Sequence, residues 1–206
     1  MFAVLVLVAL GGLLITGIAP LERSTWWLEV APVVVALPIL LWTRKRFPLT
    51  PLVYGLIAVH AVVLMVGGHY TYAKVPLGFW AQHAFDLSRN PYDRLGHFVQ
   101  GFVPAIVARE ILLRCTPLQR GGWLSFIVVA ICLAISACYE FIEWWTALIA
   151  GEGAAAFLGT QGDVWDTQWD MFIALLGAMA AVLLLSRAHD RALARLGGTG
   201  AFSDME

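Results

Sequence analysis

The sequence predicts an all-α, polytopic membrane bundle of about six transmembrane helices, a single domain over residues 1–206 with both termini cytoplasmic. Three observations lead there. Of the 206 residues, 60% are hydrophobic and only 13% charged, with a mean hydropathy of +0.79, far from the roughly 25% charged residues of a soluble domain. Six stretches come near the about 20 mostly apolar residues that a membrane helix needs: 2–20, 26–43, 51–69, 92–114, 122–150 and 168–187. Finally, the short connections Thr43–Thr50 and Cys115–Gly121 and the tail hold clusters of basic residues.

The first span lacks a basic n-region and an A-x-A-like cleavage site before Leu21, so it reads as a retained helix and not a signal peptide. The connection Thr43–Thr50 holds Arg44, Lys45 and Arg46, the connection Cys115–Gly121 is flanked by Arg114 and holds Arg120, and the tail adds Arg187, Arg191 and Arg195. The positive-inside rule puts all three on the cytoplasmic side. The long connections Tyr70–Pro91 and Gly151–Thr167 then face outward. In the first of these, Phe79, Trp80 and Phe85, with His83 among them, suggest a short amphipathic segment resting on the membrane surface. His189 and the basic tail read as a solvated helix end. The three cysteines, Cys115, Cys132 and Cys138, show no CxxC spacing and read as packing residues. A net charge of -1 provides no field for nucleic acid, and membrane lipid is the expected surrounding.

Against this apolar background, three segments carry ionisable residues at helical spacing: Asp93 with His97, Glu140 with Glu143, and Asp166 with Asp170. A charge near the centre of a membrane helix costs about 2.5–3.5 kcal/mol on insertion scales, so such groups persist where they meet partners or line a cavity. With about 1.5 Å of rise per residue from the middle of each span, Glu140 lies about 6 Å outward of the midplane and His97, Glu143 and Asp170 about 9–10 Å. Asp93, Asp166 and His69 follow at about 13–15 Å. Helices that run in alternating directions thus place all seven groups in the outer half of the membrane. Residues three or four apart share a helix face, so each set forms a stripe that can face a common cavity, with Gln100 extending the first.

Asn90 and Pro91 mark a helix start, as N-cap and first helical residue, and Asp93 follows in its first turn. Glu140 and Glu143, one turn apart in an apolar helix, repel each other in a low dielectric, which calls for a shared proton or an intervening cation. Asp163, Asp166 and Asp170 lie within eight residues, a pattern that suits a hard cation. In the outer region Asp86, Asp93, Glu140, Glu143, Glu152, Asp163, Asp166 and Asp170 face only Lys74, Arg89 and Arg94. Internal ion pairs cannot neutralise that excess, so protons, a divalent metal or a cationic substrate must.

The motifs RNPYDRLGHFVQGFVP, YEFIEWW and FLGTQGDVWDTQWDM, in that order, resemble the YjdF-like family of bacterial inner-membrane proteins over nearly the whole chain. The matching residues are Arg89, Asp93, Arg94, His97, Gln100, Glu140, Glu143, Gln161, Asp163, Asp166 and Asp170. The resemblance implies an inner-membrane location and carries no established reaction. The Asp-x-x-x-His helix start followed by an Asp-bearing last helix is also similar, more faintly, to the VanZ-like membrane proteins linked to glycopeptide resistance, and transfers no role.

The expected site is an outward-facing cavity that binds a divalent metal and acts on a lipid-linked or small periplasmic substrate by hydrolysis or group transfer, with water activated by the metal as the nucleophile. His97, Glu143 and Asp170 are the expected metal ligands, with Asp163, Asp166 and His69 as further candidates. Glu140 or Asp93 would act as general base, Arg89 or Arg94 would orient an anionic head group, and Gln100 and Gln161 would add substrate contacts. Histidine with carboxylates suits Zn, Mn or Fe, and carboxylates alone suit Mg or Ca. The rival class is proton- or cation-coupled transport, which needs polar groups through both halves of the membrane. The inner halves read as nearly all apolar, with His60, expected as an interhelical donor, the main exception. A structural membrane subunit locked by polar contacts is the third reading.

Overall fold

The computed structural model describes residues 1–150, 155–158 and 160–197; Glu152 and Gly159, drawn into the charge count and the third motif, lie outside the described residues. The chain is helical throughout, with no strand among the described residues. In order come α1 (Phe2–Thr16), α2 (Arg23–Thr43), α3 (Pro51–Tyr70), a 3-10 turn (Tyr72–Lys74), α4 (Pro76–Ala84), α5 (Tyr92–Cys115), α6 (Gly122–Ala150), the short α7 (Ala155–Leu158) and α8 (Asp166–Gly197). Four of them, over Arg23–Thr43, Pro51–Tyr70, Gly122–Ile149 and Asp166–Leu196, are long and apolar enough to cross a membrane.

Two of the six expected spans differ from this set for identifiable reasons. The first helix stops at Thr16: Gly17 still lies in the helical region, but Ala19 at φ 48 and Pro20 turn the chain away; its 15 residues reach about 22 Å, short of a hydrocarbon core of about 30 Å. The helix α5 is long enough at 24 residues, but Asp93, Arg94, Arg109, Glu110 and Arg114 make it too polar to count by composition. Its place in the fold explains the tolerance: it packs against α3, α6 and α8, and neighbouring helices cover its polar groups.

Local chemistry sets the helix starts. Thr50 caps α3 through its side-chain oxygen, which accepts from the Val53 amide, with Pro51 at the first position. At α5 the expected Asn90 cap moves by one residue: the first regular position is Tyr92, whose amide donates to the Asn90 side chain at 3.0 Å. The Asn90 amide also donates to the Val75 carbonyl at 3.1 Å, which ties the outer connection to the start of α5. Within that connection α4 leaves Phe79, Trp80 and Phe85 exposed, as an interfacial segment would.

The helices α5 and α8 pack backbone against backbone. A side chain at Gly101 would strike the backbone of Ala174, and one at Gly177 would strike the Phe98 carbonyl; Ala174, Ala178 and Ala181 are fully buried beside them. Small residues let the two backbones touch, a common solution where lipid removes the usual hydrophobic drive for helix association. Leu7, Trp42, Phe126 and Leu183, by contrast, point outward and exposed, toward lipid.

The end of α5 away from the predicted site corrects two expectations. His189 is fully buried, not solvated, and the inner half is far from apolar. Glu110, also fully buried, accepts from the Thr50 amide at 2.9 Å, the Thr50 hydroxyl at 2.7 Å, Arg114 Nη1 at 2.9 Å and His189 Nε2 at 3.0 Å. Arg109 Nη1 donates to His189 Nδ1 at 2.7 Å, and Arg109 Nη2 and Arg120 Nε donate to Asp190 Oδ1 at 2.8 and 2.9 Å. Every carboxylate oxygen of Glu110 is matched, so the network fastens α3, α5 and α8 together. The cysteines are corrected in part: Cys132 is buried as a packing residue, whereas Cys115 and Cys138 are exposed.

Candidate functional site

At the opposite end of the same helices the predicted acids do converge. His97, on the second turn of α5, is 6% exposed. Its Nδ1 sits 3.0 Å from Gln100 Oε1; that acceptor holds the ring proton on Nδ1 and leaves the Nε2 lone pair directed inward. Nε2 lies 3.7 Å from Asp93 Oδ1 and 3.8 Å from Asp170 Oδ2. Both are too long for hydrogen bonds.

Two triads of ligand-capable groups share His97 among the described residues: Asp93, His97 and Asp170, and His97, Glu140 and Glu143, the atoms of each lying within 4.8 Å of one another. That is close to the span of two metal–ligand bonds of about 2.0–2.5 Å each. A ligand histidine whose other nitrogen is held by an acceptor is the usual arrangement at metal sites. The expected trio of His97, Glu143 and Asp170 is therefore divided between two sets, and the two residues expected as bases, Asp93 and Glu140, stand among the ligand-capable groups.

The strongest irregularity is polar atoms left without partners. Glu140 Oε1 and Asp170 Oδ1 are buried and accept no hydrogen bond. A buried polar group left unmatched costs about 1–3 kcal/mol, and a charged one more.

The arginines are occupied by the outer acids. Arg89 bonds Asp166 through Nη1 and Asp93 Oδ2 through Nη2 at 3.2 Å, with Asp163 at 3.6 Å. Arg94 Nη2 donates to Asp163 Oδ2 at 2.9 Å and its guanidinium lies 5.1 Å from the Trp169 ring centre, while its Nε has no hydrogen-bond partner. Asp163 and Asp166 thus form an ion-paired rim and lie outside both triads.

Two predicted residues are elsewhere. His69 Nδ1 is 2.8 Å from the Thr16 carbonyl at the end of α1, away from the triads, because its position on the last turn of α3 faces α1. Gln161 exchanges two hydrogen bonds with the Asn90 backbone, at 3.1 and 3.0 Å; it clamps the segment before α8 to the start of α5, which leaves its amide spoken for. His60 is not the interhelical donor expected, since its Nε2 has no partner.

One site residue escaped the sequence reading. Glu29, in the middle of α2, is 4% exposed and accepts from the Tyr139 hydroxyl at 3.2 Å. It lines a cavity of about 210 Å³ together with Tyr72, Asp93, His97, Tyr139 and Glu143. The signal was present, an acid inside an apolar run, but it stands alone, and a search for paired ionisable residues passes over it.

With this geometry in place, comparison with known proteins identifies the setting. Residues 1–191 match the family model described as predicted membrane protein DUF2238, and the chain belongs to that family. It is 58% identical over 185 residues to the inner membrane protein YjdF of Escherichia coli (strain K12), a match covering 90% of this chain and 88% of that protein. No solved structure matches. The chain is a multi-pass protein of the bacterial inner membrane.

Proposed function

We propose that this DUF2238 member crosses the inner membrane six times, with both termini cytoplasmic, and that the His97 cavity faces the periplasm, binds one divalent metal and acts on a lipid-linked or small substrate by hydrolysis or group transfer. The observation that carries the reading is the set of buried, unpartnered carboxylate oxygens of Glu140 and Asp170 around the free nitrogen of a histidine oriented by Gln100. The donor set, one imidazole with carboxylates, fits Zn, Mn or Fe. The polar α5 counts as a span because α3, α6 and α8 cover it, and the short α1 because it packs along α3 with an otherwise exposed apolar surface.

Roles follow from what each side chain has left to offer. His97, Asp93 and Asp170 form one ligand set, and Glu143 stands beside it in the second triad from α6. Glu140 serves as general base through its unmatched oxygen. Arg94, with a spare Nε, orients an anionic group, and Arg89 keeps Asp93 and Asp166 in place. The bound metal supplies Lewis acidity toward a carbonyl or phosphoryl oxygen.

Elemental analysis of detergent-purified protein tests this. Wild type should carry about one metal per chain, on the stoichiometry of a single-ion site, and His97→Ala and Asp170→Asn should each lose it. Wild-type protein that binds none of Zn, Mn or Fe on titration rejects the reading. Transport is the second reading, and the polar network around Glu110 favours it to the extent that polar groups now stand at both ends of α5. Between them, Gly101–Ala108 is apolar, which weighs against a hydrated route. Cation flux into vesicles that disappears in Glu140→Gln would favour transport instead.

A further inference from the structure

Next to the polar cavity lies a larger, apolar one. It has a volume of about 660 Å³ and is lined by, among others, Ala36 and Leu40 of α2, Ile57 of α3, and Val107, Ala108 and Ile111 of α5. Pro32, His60, Leu64, Pro104 and Ile135 line both cavities, so the two adjoin along these five side chains, a polar head beside an apolar body. The body runs along α5 from Val103 to Cys115, about 18 Å at helical rise, and the whole space from Asp93 to Cys115 runs about 33 Å, comparable to a hydrocarbon core of about 30 Å.

We infer that this space holds one hydrocarbon chain of a membrane lipid, with the lipid's phosphate head at His97, so that the substrate of the site is a phospholipid-type amphiphile and not a small soluble molecule. The inference rests on the outward-facing reading of the His97 site given above.

Three features of the space single out that occupant. The walls below Gln100 consist almost wholly of aliphatic side chains, which an ion or a hydrated solute cannot use and a polymethylene chain can. The length matches a chain lying along the bundle, while a globular apolar ligand would fill only part of it. At the boundary between head and body sits His60, whose Nε2 is buried without a partner; an N–H there lies where the ester joining head to chain would fall, and gives that carbonyl a donor. The head of the space is lined by Glu29, Asp93 and Glu143, with no Lys or Arg among the described residues, so a phosphate there is met through a cation held by the His97 site.

The test uses the full chain in detergent and a phosphatidylglycerol bearing a diazirine at the end of one acyl chain. After irradiation, proteolysis and mass spectrometry should place adducts on the cavity faces, at residues such as Ile57, Val107 and Ile111. The labelling should saturate and be competed by unlabelled phosphatidylglycerol. Ala36→Trp and Ala108→Trp should lower it about tenfold by filling the space; Ala108→Leu should lower it by less, which guards against misfolding of the larger variants. Val35→Trp, on the exposed side of α2, should leave it within about twofold, as expected of a surface change.

Adducts spread over outward residues such as Leu7 and Leu183 without competition would overturn the proposal, as would unchanged labelling in both tryptophan variants, or an unlabelled cavity closed by a second copy in a dimer. An ether-linked probe should label more weakly than the ester in wild type and equally in His60→Phe; equal labelling in wild type removes His60 from the site. Running the same protein with and without chelator separates the two readings. Cavity labelling in a protein that binds no metal rejects the metal site and keeps the chain site, whereas bound metal with an unlabelled cavity does the reverse.

Discussion

The two ends of the α5–α8 pair are built from the same residue types and differ in one respect. Around Glu110 each carboxylate oxygen receives two donors, and Arg109 and His189 complete the set. Around His97 the acids outnumber the donors, and oxygens of Glu140 and Asp170 face nothing. His97 and Arg109 are about 18 Å apart along the helix, so the same scaffold carries one saturated network and one open one. Burial of charge alone therefore does not identify a functional site. The matched cluster fastens helices, and the unmatched one is where we propose that a ligand binds.

The largest expected effect breaks the fastener. Glu110→Ala strands His189, Arg114 and Thr50 together, and truncating one partner of a buried ion pair costs about 3–5 kcal/mol; unfolding in detergent should show a loss of that order. At the other end Asp170→Asn replaces a carboxyl that has no bond to lose through Oδ1, so metal-free protein should be unchanged or more stable by up to about 1–3 kcal/mol, the cost of a buried unmatched group. Similar destabilisation by both variants would erase the distinction drawn between the two ends.

Next in size, Gly101→Val should push α5 from α8 and cost about 1–3 kcal/mol by overpacking, with the same melting transition moving for both ends. The smallest effect concerns Asp190, beyond the apolar stretch of α8. Burial raises its carboxyl, but hydrogen bonds from Arg120 and Arg109 outweigh that and hold it below the ordinary carboxylate range. A lowered folded value means that the contribution is full above the unfolded value, about 3.9, and fades as pH falls through the folded one. Melting temperature should drop on acidification below about pH 4, and Asp190→Asn should flatten that slope.

Much of the site was legible because the rule behind it is strict: lipid penalises ionisable groups, so Asp93, His97, Glu140, Glu143 and Asp170 stand out on sight, and helical spacing assigns them faces. The rim was legible as composition but not as role. Asp163 and Asp166 pair with Arg94 and Arg89 because the segment before α8 folds back over α5, a tertiary event that spacing does not encode. Glu110 and His189 were missed for a related reason. They lie 79 positions apart, next to basic residues that read naturally as a cytoplasmic flank, and only the rotation of α8 about its axis brings them together. The early end of α1 was signalled by Gly17 and Pro20, which a hydropathy window averages away.

The backbone contact at Gly101 and Gly177 has a mechanical consequence. Two helices interlocked at that distance cannot slide past one another without collision, so α5 and α8 act as a single beam, and His97, Asp93 and Asp170 hold a constant mutual setting. Adjustment of the pocket then falls to the other walls: α2, which brings Glu29, and α6, which brings Tyr139, Glu140 and Glu143. Such a vessel has one fixed jaw and two adjustable ones.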